Sequence, residues 1–242
     1  MIKNDETLED LQRDGLKIIQ KVDGFRFGAD AVLLSDFAKD VPSGKTLDLC
    51  TGSGIIPTLL SAKTNTPELF GLEIQEEIAE MARRSAELNG ISDRVKICQG
   101  DLKKAHEIYG KRQFDVVTCN PPYMPVGTAV VNEADSKTIA RHEVCCNLED
   151  VISSASKLVK QKGHFLLVHK PSRLTDILCF MRKYDIEPKR IRFVCKKIGA
   201  EPSLVLVDGA YKGGIELRIL PPLFLYNPDG SETDELKRIY EK

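Results

Sequence analysis

The chain has 242 residues, 42% of them hydrophobic and 29% charged, with a formal net charge of −1. That balance is ordinary for a soluble globular protein, and the longest apolar runs, such as "FLLV" and "LVLV", are strand-sized and too short to span a bilayer. Seven cysteines without paired spacing, and four histidines without ligand spacing to them, point to a reduced cytoplasmic protein holding no metal.

The N-terminus, "MIKNDETLEDLQRDG", is polar and acidic, unlike a secretory signal. From residue 44 onward apolar strands alternate with helical patterns. "KTLDLC" (45–50) reads as a buried strand running into "TGSG", and "ELFGLEI" (68–74) as the next. Residues 75–89 place Ile78, Met81, Ala82, Ser85 and Leu88 at helical spacing, with Glu80 and Arg84 paired at i,i+4 and Asn89-Gly90 as a stop. "RVKICQ" (94–99) and "FDVVTC" (114–119) follow as strands. Asn147 is the expected N-cap of a helix whose face carries Val151, Ile152, Ala155, Leu158 and Val159, closing at Gly163. "HFLLVH" (164–169) is a fifth strand, residues 172–184 a helix, and "RIRFVC" (190–195) with "SLVLVD" (203–208) an antiparallel pair. No linker or repeat divides the chain, so one domain over 1–242 is expected. Strands alternating with helices argue a largely parallel sheet covered on both faces, with ligands bound beyond the carboxyl ends of its strands.

The candidate motifs fall at those ends. "DLCTGSG", Asp48 to Gly54, lets backbone pass close to a ligand, but Pro57 stands where a dinucleotide fingerprint needs glycine or alanine, which disfavours a nicotinamide dehydrogenase. Glu73 ends the second strand, where a carboxylate can accept from both hydroxyls of a ribose. Asp101 and Leu102, in "QGDL", can take an adenine amino group and pack on its ring; equally, Asp101 can cap the helix that follows. In "TCNPPYMP", Asn120 precedes a proline and is pushed out of the helical region, while Pro121 and Pro122 remove two backbone donors. A stiff loop remains, offering carbonyl acceptors, one amide and one aromatic face: a socket for a flat group bearing an amine.

Taken in order and spacing, "DLCTGSG", "GLEI", "GDL" and "NPPY" resemble a class I S-adenosylmethionine-dependent methyltransferase of the amino-methylating branch. "GFRFGADAVLLSDF", "IARHE", "LVHKPSRLTDIL", "EPKRIRFVC" and "YKGGIELRILPPLFLY" extend the likeness to the bacterial tRNA1(Val) adenine-37 N6-methyltransferase family over nearly the whole chain. The resemblance implies an α/β, Rossmann-like fold: a seven-stranded, mostly parallel sheet with an antiparallel C-terminal strand and helices on both faces. It implies a catalytic core over 44–242, with 1–43 covering the cofactor pocket. Phe27, Asp30, Asp48, Thr51, Gly52, Gly54, Glu73, Ile74, Asp101, Leu102 and Asn120 would hold S-adenosylmethionine, leaving S-adenosylhomocysteine as product, with no metal. "GAD" stands here for the commoner "GTD", so no direct role is assigned to Ala29.

Asn120, Pro121, Pro122 and Tyr123 would form the catalytic socket. The Asn120 side-chain oxygen and the Pro121 carbonyl would take both hydrogens of an adenine N6 amine, and Tyr123 would stack on the base. Residues 157–197 carry 12 basic against 3 acidic residues, a density that suits a polyanion such as tRNA. Lys170, Lys189, Arg190, Arg192, Lys196 and Lys197 are the candidate phosphate contacts, while Arg141, His142 and Glu143 lie where methyltransferases line the substrate mouth. A monomer is assumed. The rival readings are a protein glutamine N5-methyltransferase, whose helical domain has little room in the 47 residues before Asp48, an rRNA or DNA amino-methyltransferase, and a non-catalytic RNA-binding module.

Overall fold

The computed structural model describes residues 2–22, 28–41, 44–123 and 146–240. The strands are β1 (Glu6–Asp10), β2 (Lys17–Lys21), β3 (Lys45–Leu49), β4 (Glu68–Glu73), β5 (Val95–Gln99), β6 (Phe114–Cys119), β7 (Val159–His169), β8 (Ile186–Cys195), β9 (Pro202–Tyr211), β10 (Arg218–Ile219) and β11 (Leu223–Phe224). The helices are α1 (Ala29–Ala38), α2 (Ile55–Lys63), α3 (Glu76–Leu88), α4 (Ala105–Tyr109), α5 (Leu148–Leu158), α6 (Leu174–Lys183) and α7 (Asp234–Tyr240). Among the described residues no helix is long and apolar enough to cross a membrane.

Seven long strands form the main sheet in the order β5-β4-β3-β6-β7-β9-β8, all parallel except β9, which runs antiparallel to both neighbours. This is the expected core, and β8 and β9 are the expected antiparallel pair. Two additional two-residue strands, β10 and β11, lie parallel to β8, so the sheet has nine strands among the described residues where seven were expected. The β1–β2 hairpin is a separate sheet; its short, mixed polar pattern carries no clear strand signal.

Alternation of side chains along the strands explains why both faces are covered. Val116, Leu166, Val168 and Leu206 join the core beneath α1, α2 and α7. Their neighbours Val117, Phe165, Leu167, Val205 and Val207 point the other way, into the core made with α5 and α6. The chain lays down β3, β4 and β5 in one direction and then returns to place β6 on the other side of β3. Strand order therefore reverses between β3 and β6, and a crevice opens beyond their carboxyl ends.

Two expected boundaries shift. Helix α5 begins as predicted, with a capping box in which Asn147 accepts from the Asp150 N–H and Asp150 accepts from the Asn147 N–H. It ends at Leu158 instead of Gly163, because Val159 is already extended and pairs with Phe114. Gly163 lies inside β7, where a Cβ would stand 2.8 Å from the Asp115 carbonyl oxygen. In α3 the buried face is rotated from the expected one: Ala79, Met81, Ala82, Ser85 and Ala86 are buried and Leu88 is 52% exposed. Helix α3 is packed both against the sheet and under the hairpin, where Ser85 Oγ accepts from the Ile19 N–H at 3.0 Å. That second contact selects a different stripe.

A bidentate ion pair bolts the hairpin to α3. Arg84 reaches Glu6 Oε1 at 2.5 Å and Oε2 at 2.9 Å, and its Nε donates to Glu80 Oε1 at 2.8 Å, the i,i+4 pair anticipated from sequence. The Arg84 guanidinium holds the buried Glu6 carboxyl down at about 2, against the cost of burial. Because this pKa is depressed on folding, its stabilisation is complete above the ordinary carboxylate range and fades as pH falls toward 2. Arg84→Met should therefore lower stability by about 3 kcal/mol near neutral pH. In urea titrations the gap from wild type should narrow at pH 3, and a gap independent of pH would rule the ion pair out as its cause.

Candidate active site

Strand β3 ends at Leu49, and the chain turns through Cys50, Gly52 and Gly54 at φ of +55, +56 and +81°. Gly54 combines this left-handed backbone with a close approach to α3: a Cβ there would lie 3.2 Å from that of Ala82. The turn is pinned to the end of β4. The Thr51 N–H donates to the Leu72 carbonyl at 3.0 Å, and the Gly52 N–H to Glu73 Oε2 at 3.0 Å. Glu73 Oε1 accepts from the Gln75 N–H at 3.0 Å, so each carboxylate oxygen is held by one backbone donor and keeps further acceptor capacity.

Asp48 faces Thr118 across the β3–β6 pair and accepts from its hydroxyl at 2.6 Å through Oδ1. Its other oxygen, Oδ2, and the Thr51 hydroxyl are both buried and find no hydrogen-bond partner among the described residues. Burial pushes the Asp48 carboxyl up to about 7, opposed by the nearby hydroxyls of Thr118 and Thr51 and reinforced by the charge of Glu73. Buried polar groups without a partner are costly and rare; a carboxylate oxygen and a hydroxyl left so beside one glycine turn mark a place built for a polar group from outside the protein.

Two cavities meet around Glu73 and Cys50, which line both. One is lined by Asp48, Thr51, Gly52, Met81 and Asn120; the other by Ile74, Asp101, Leu102, Pro122 and Cys146. The ends of β3, β4, β5 and β6 thus share one continuous wall. Asp101 also performs the capping role considered for it, its Oδ1 accepting from the Lys103 N–H at 2.9 Å. Sequence reasoning missed Lys21 and Gln75 as lining residues, and it took Met81 and Ile78 only as helix core. None of these belongs to a motif; the hairpin and the first turns of α3 carry them to the cavity.

Asn120 opens the turn after β6, and Pro121 behind it is buried. The Tyr123 hydroxyl lies 2.7 Å from Asn120 Oδ1 and 2.8 Å from Asp30 Oδ2. Burial, then the Asp30 charge, keeps this phenol protonated. The Tyr123 ring meets His169, at the end of β7, edge-on at 5.1 Å, and Lys170 Nζ stands 5.4 Å from its centroid. His169 is buried and held neutral, its pKa pushed down to about 4 by burial and the charge of Arg173. The Lys170 N–H donates to His169 Nδ1 at 2.8 Å, so the ring proton sits on Nε2.

The basic candidates divide by height along the sheet. Lys170, Lys196 and Lys197 are exposed at or beyond the carboxyl ends of β7 and β8, on the side of Asn120. Arg190 lies in mid-strand, level with Asp208, and its Nε donates to that buried carboxylate at 2.7 Å. Arg192 is committed to Glu235 at 2.7 Å and to the Pro221 carbonyl at 3.0 Å, and Lys189 donates to the Gly214 carbonyl. Lys189 and Arg190 instead line a cleft of about 520 Å³ with Lys162, His164 and Asp208, toward the amino ends of these strands. Phe27, Arg141, His142 and Glu143 lie outside the described residues. Among the described residues no group of His, Cys, Asp or Glu could hold a metal ion.

Residues 40–205 match the family model for a methyltransferase domain. The tRNA1(Val) (adenine(37)-N6)-methyltransferase of Porphyromonas gingivalis is 31% identical over 189 residues, 76% of this chain and 73% of that protein. The chain belongs to this methyltransferase family. A solved structure from Agrobacterium tumefaciens, described as a predicted O-methyltransferase, superposes with a TM-score of 0.72 at 23% identity, covering 88% of this chain and 95% of the other. TYW2 of P. horikoshii, solved in complex with MeSAdo, superposes at 0.60 with 14% identity over 87% of this chain and 73% of its own. At these identities the two structures establish the class I methyltransferase fold and nothing finer.

Within this methyltransferase fold, Gly71 of β4 backs the Thr51 turn. A Cβ at Gly71 would come within 2.7 Å of Ile97 Cδ1 and 2.8 Å of Thr51 Oγ1. Gly71→Val should cost about 1–3 kcal/mol of stability through overpacking. Because the displaced side chain lines the cavity, cofactor affinity should fall with it, by tenfold or so. Calorimetric titration with S-adenosylhomocysteine reads this directly; undiminished affinity would mean that the turn does not contact the cofactor.

Proposed function

We propose that this chain transfers the methyl group of S-adenosylmethionine to the N6 amine of an adenosine in tRNA, the target being adenosine 37 in the anticodon loop of tRNA1(Val), as a cytoplasmic enzyme. The observation that carries the reading is the meeting of Asn120 with a wall of acceptors whose polarity fits this cofactor. The unpartnered Asp48 Oδ2 and Thr51 Oγ1 suit its ammonium-bearing end. Glu73, pinned but with acceptor capacity left, suits the ribose hydroxyls, and Ile74, Asp101 and Leu102 the adenine. Lys21 and Ala31 belong to residues 1–43 and line the same cavity, which supports reading that segment as its cover.

Bound there, S-adenosylmethionine would supply an electrophilic methyl group, its sulfur–methyl bond breaking to leave S-adenosylhomocysteine as the amine takes the methyl and gives up one proton to solvent. The protein's share is positioning and electrostatics. An adenine amine is a poor nucleophile because its lone pair is delocalised into the ring. The Asn120 side-chain oxygen and the Pro121 carbonyl accept its two hydrogens, which favours a pyramidal nitrogen with its lone pair free. Pro121 and Pro122 hold both acceptors still and offer no competing N–H. Tyr123 supplies an aromatic face for an unstacked base, and an anticodon loop presents such bases at low cost. Lys170, Lys196 and Lys197 are the residues proposed to meet phosphates, being exposed on the side of the socket. Arg190 and Arg192 serve the fold through Asp208 and Glu235.

The test is methyl transfer from labelled S-adenosylmethionine to unmodified tRNA, followed by nucleoside analysis. N6-methyladenosine in a single tRNA species is expected. Label in a glutamine-containing protein, in ribosomal RNA, or nowhere despite measurable cofactor binding would overturn the tRNA reading.

A further inference from the structure

We propose that Asp30 is a positioning residue that acts through the Tyr123 hydroxyl to set which way the Asn120 amide faces, and not a contact of the cofactor. The inference rests on the reading of Asn120 as acceptor for the target amine. Asp30 is the second residue of α1. Its Oδ1 accepts from the Ala31 N–H at 3.0 Å, and Oδ2 lies 2.8 Å from the Tyr123 hydroxyl, 93 residues away. Gly28 leaves the space this carboxylate fills, since a Cβ there would lie 2.7 Å from Asp30 Oδ1. Asp30 does not line either cavity of the proposed cofactor wall.

The Tyr123 hydroxyl has one proton and, among the described residues, two neighbours that could accept it, Asp30 Oδ2 and Asn120 Oδ1. A hydrogen bond to an ionised carboxylate is roughly twice as strong as one to a neutral amide oxygen. The proton therefore goes to Asp30, and the phenolic oxygen turns a lone pair toward Asn120. Half a turn of the Asn120 amide exchanges Oδ1 and Nδ2 with little change in shape, so Nδ2 donates to the phenolic oxygen. Oδ1 is then directed away from Tyr123 and is free for the amine. Without the carboxylate, the hydroxyl donates to Asn120 Oδ1 and occupies the acceptor that the reaction needs. A residue of the N-terminal helix in this way orients a group in a loop 90 positions later in the chain.

The experiment is a double-mutant cycle on the full chain. Asp30→Ala should lower kcat about 10- to 100-fold, leaving the dissociation constant for S-adenosylhomocysteine and the KM for tRNA within about threefold. In a Tyr123→Phe background, which removes the hydroxyl but keeps the ring, Asp30→Ala should have less than about a twofold effect. Asp30→Glu, which restores the carboxylate, should recover part of the loss and shows whether an inactive Asp30→Ala is merely unfolded. Independently of turnover, the Asn120 side-chain amide resonance in labelled protein should move on Asp30→Ala and stay in place when Tyr123 is already Phe. Additive effects in the cycle, a resonance that ignores Asp30, or weakened cofactor binding in Asp30→Ala would overturn the proposal. A wild-type protein that methylates an amine other than adenosine would instead overturn the tRNA reading, and the cycle then applies unchanged to that substrate.

Discussion

Asn120→Ala should lower kcat about 10²- to 10³-fold, the cost of removing one preorganised polar group from a reacting centre, while cofactor affinity changes by less than about threefold. The asymmetry follows from where Asn120 sits. It is one of many residues lining the cavity beside Asp48 and Thr51, so its loss takes little from the binding wall. It is one of two acceptors proposed for the amine, and Pro121 alone cannot hold both hydrogens. Asn120→Asp is the informative companion. It keeps an acceptor of the same size but brings a second carboxylate close to Asp30, across the Tyr123 hydroxyl. Its activity should lie between wild type and alanine. Single-turnover rates with saturating cofactor, compared with calorimetric dissociation constants, separate the two quantities. Equal losses in both would place Asn120 in the binding wall and leave the amine without its proposed acceptor.

Cofactor affinity should fall by up to tenfold per unit as pH drops below about 7, and Asp48→Asn should flatten that dependence while weakening binding about 30- to 100-fold at pH 8. The cause is the buried carboxyl whose Oδ2 has no partner among the described residues and whose pKa is raised to about 7. A cationic ammonium placed against it favours the ionised form, so binding below pH 7 must release a proton. The sign for stability is the reverse of that for Glu6. A carboxyl raised on folding binds its proton more tightly in the native state. The ligand-free protein therefore loses stability as pH climbs from the ordinary carboxylate range to about 7, and the cofactor restores it. Calorimetry in two buffers of different ionisation enthalpy counts the proton released. No uptake or release between pH 6 and 8 would mean that Asp48 does not meet the cofactor's charge.

Read by itself, the sequence determined the sheet that makes the site. The strands from 45 to 119 are apolar runs bounded by turn signals, and their ends carry Asp48, Glu73, Asp101 and Asn120 in order. Parallel βα units with short connections admit essentially one handedness, so motifs at successive strand ends must converge on one edge. The "DLCTGSG" turn and the two prolines are local in cause: backbone freedom in one, its removal in the other. Such signals survive in a linear string.

Only the tertiary structure decided what depends on partners distant in the chain. Val159 has helical spacing, yet its pairing with Phe114 draws it into β7. Leu88 has the spacing of a core residue, yet the hairpin over α3 selects the neighbouring stripe. The basic run at 157–197 reads as one patch, but strand register sets Lys196 and Lys197 beyond the end of β8 and Arg190 halfway down it, neutralised by Asp208. Asp30 reads from sequence only as one more residue for the cofactor, and its carboxylate also meets the hydroxyl of Tyr123. In each case the deciding interaction joins groups well separated in sequence, from 18 residues for Arg190 and Asp208 to 93 for Asp30 and Tyr123, and local spacing carries no record of a contact whose other half lies elsewhere in the chain.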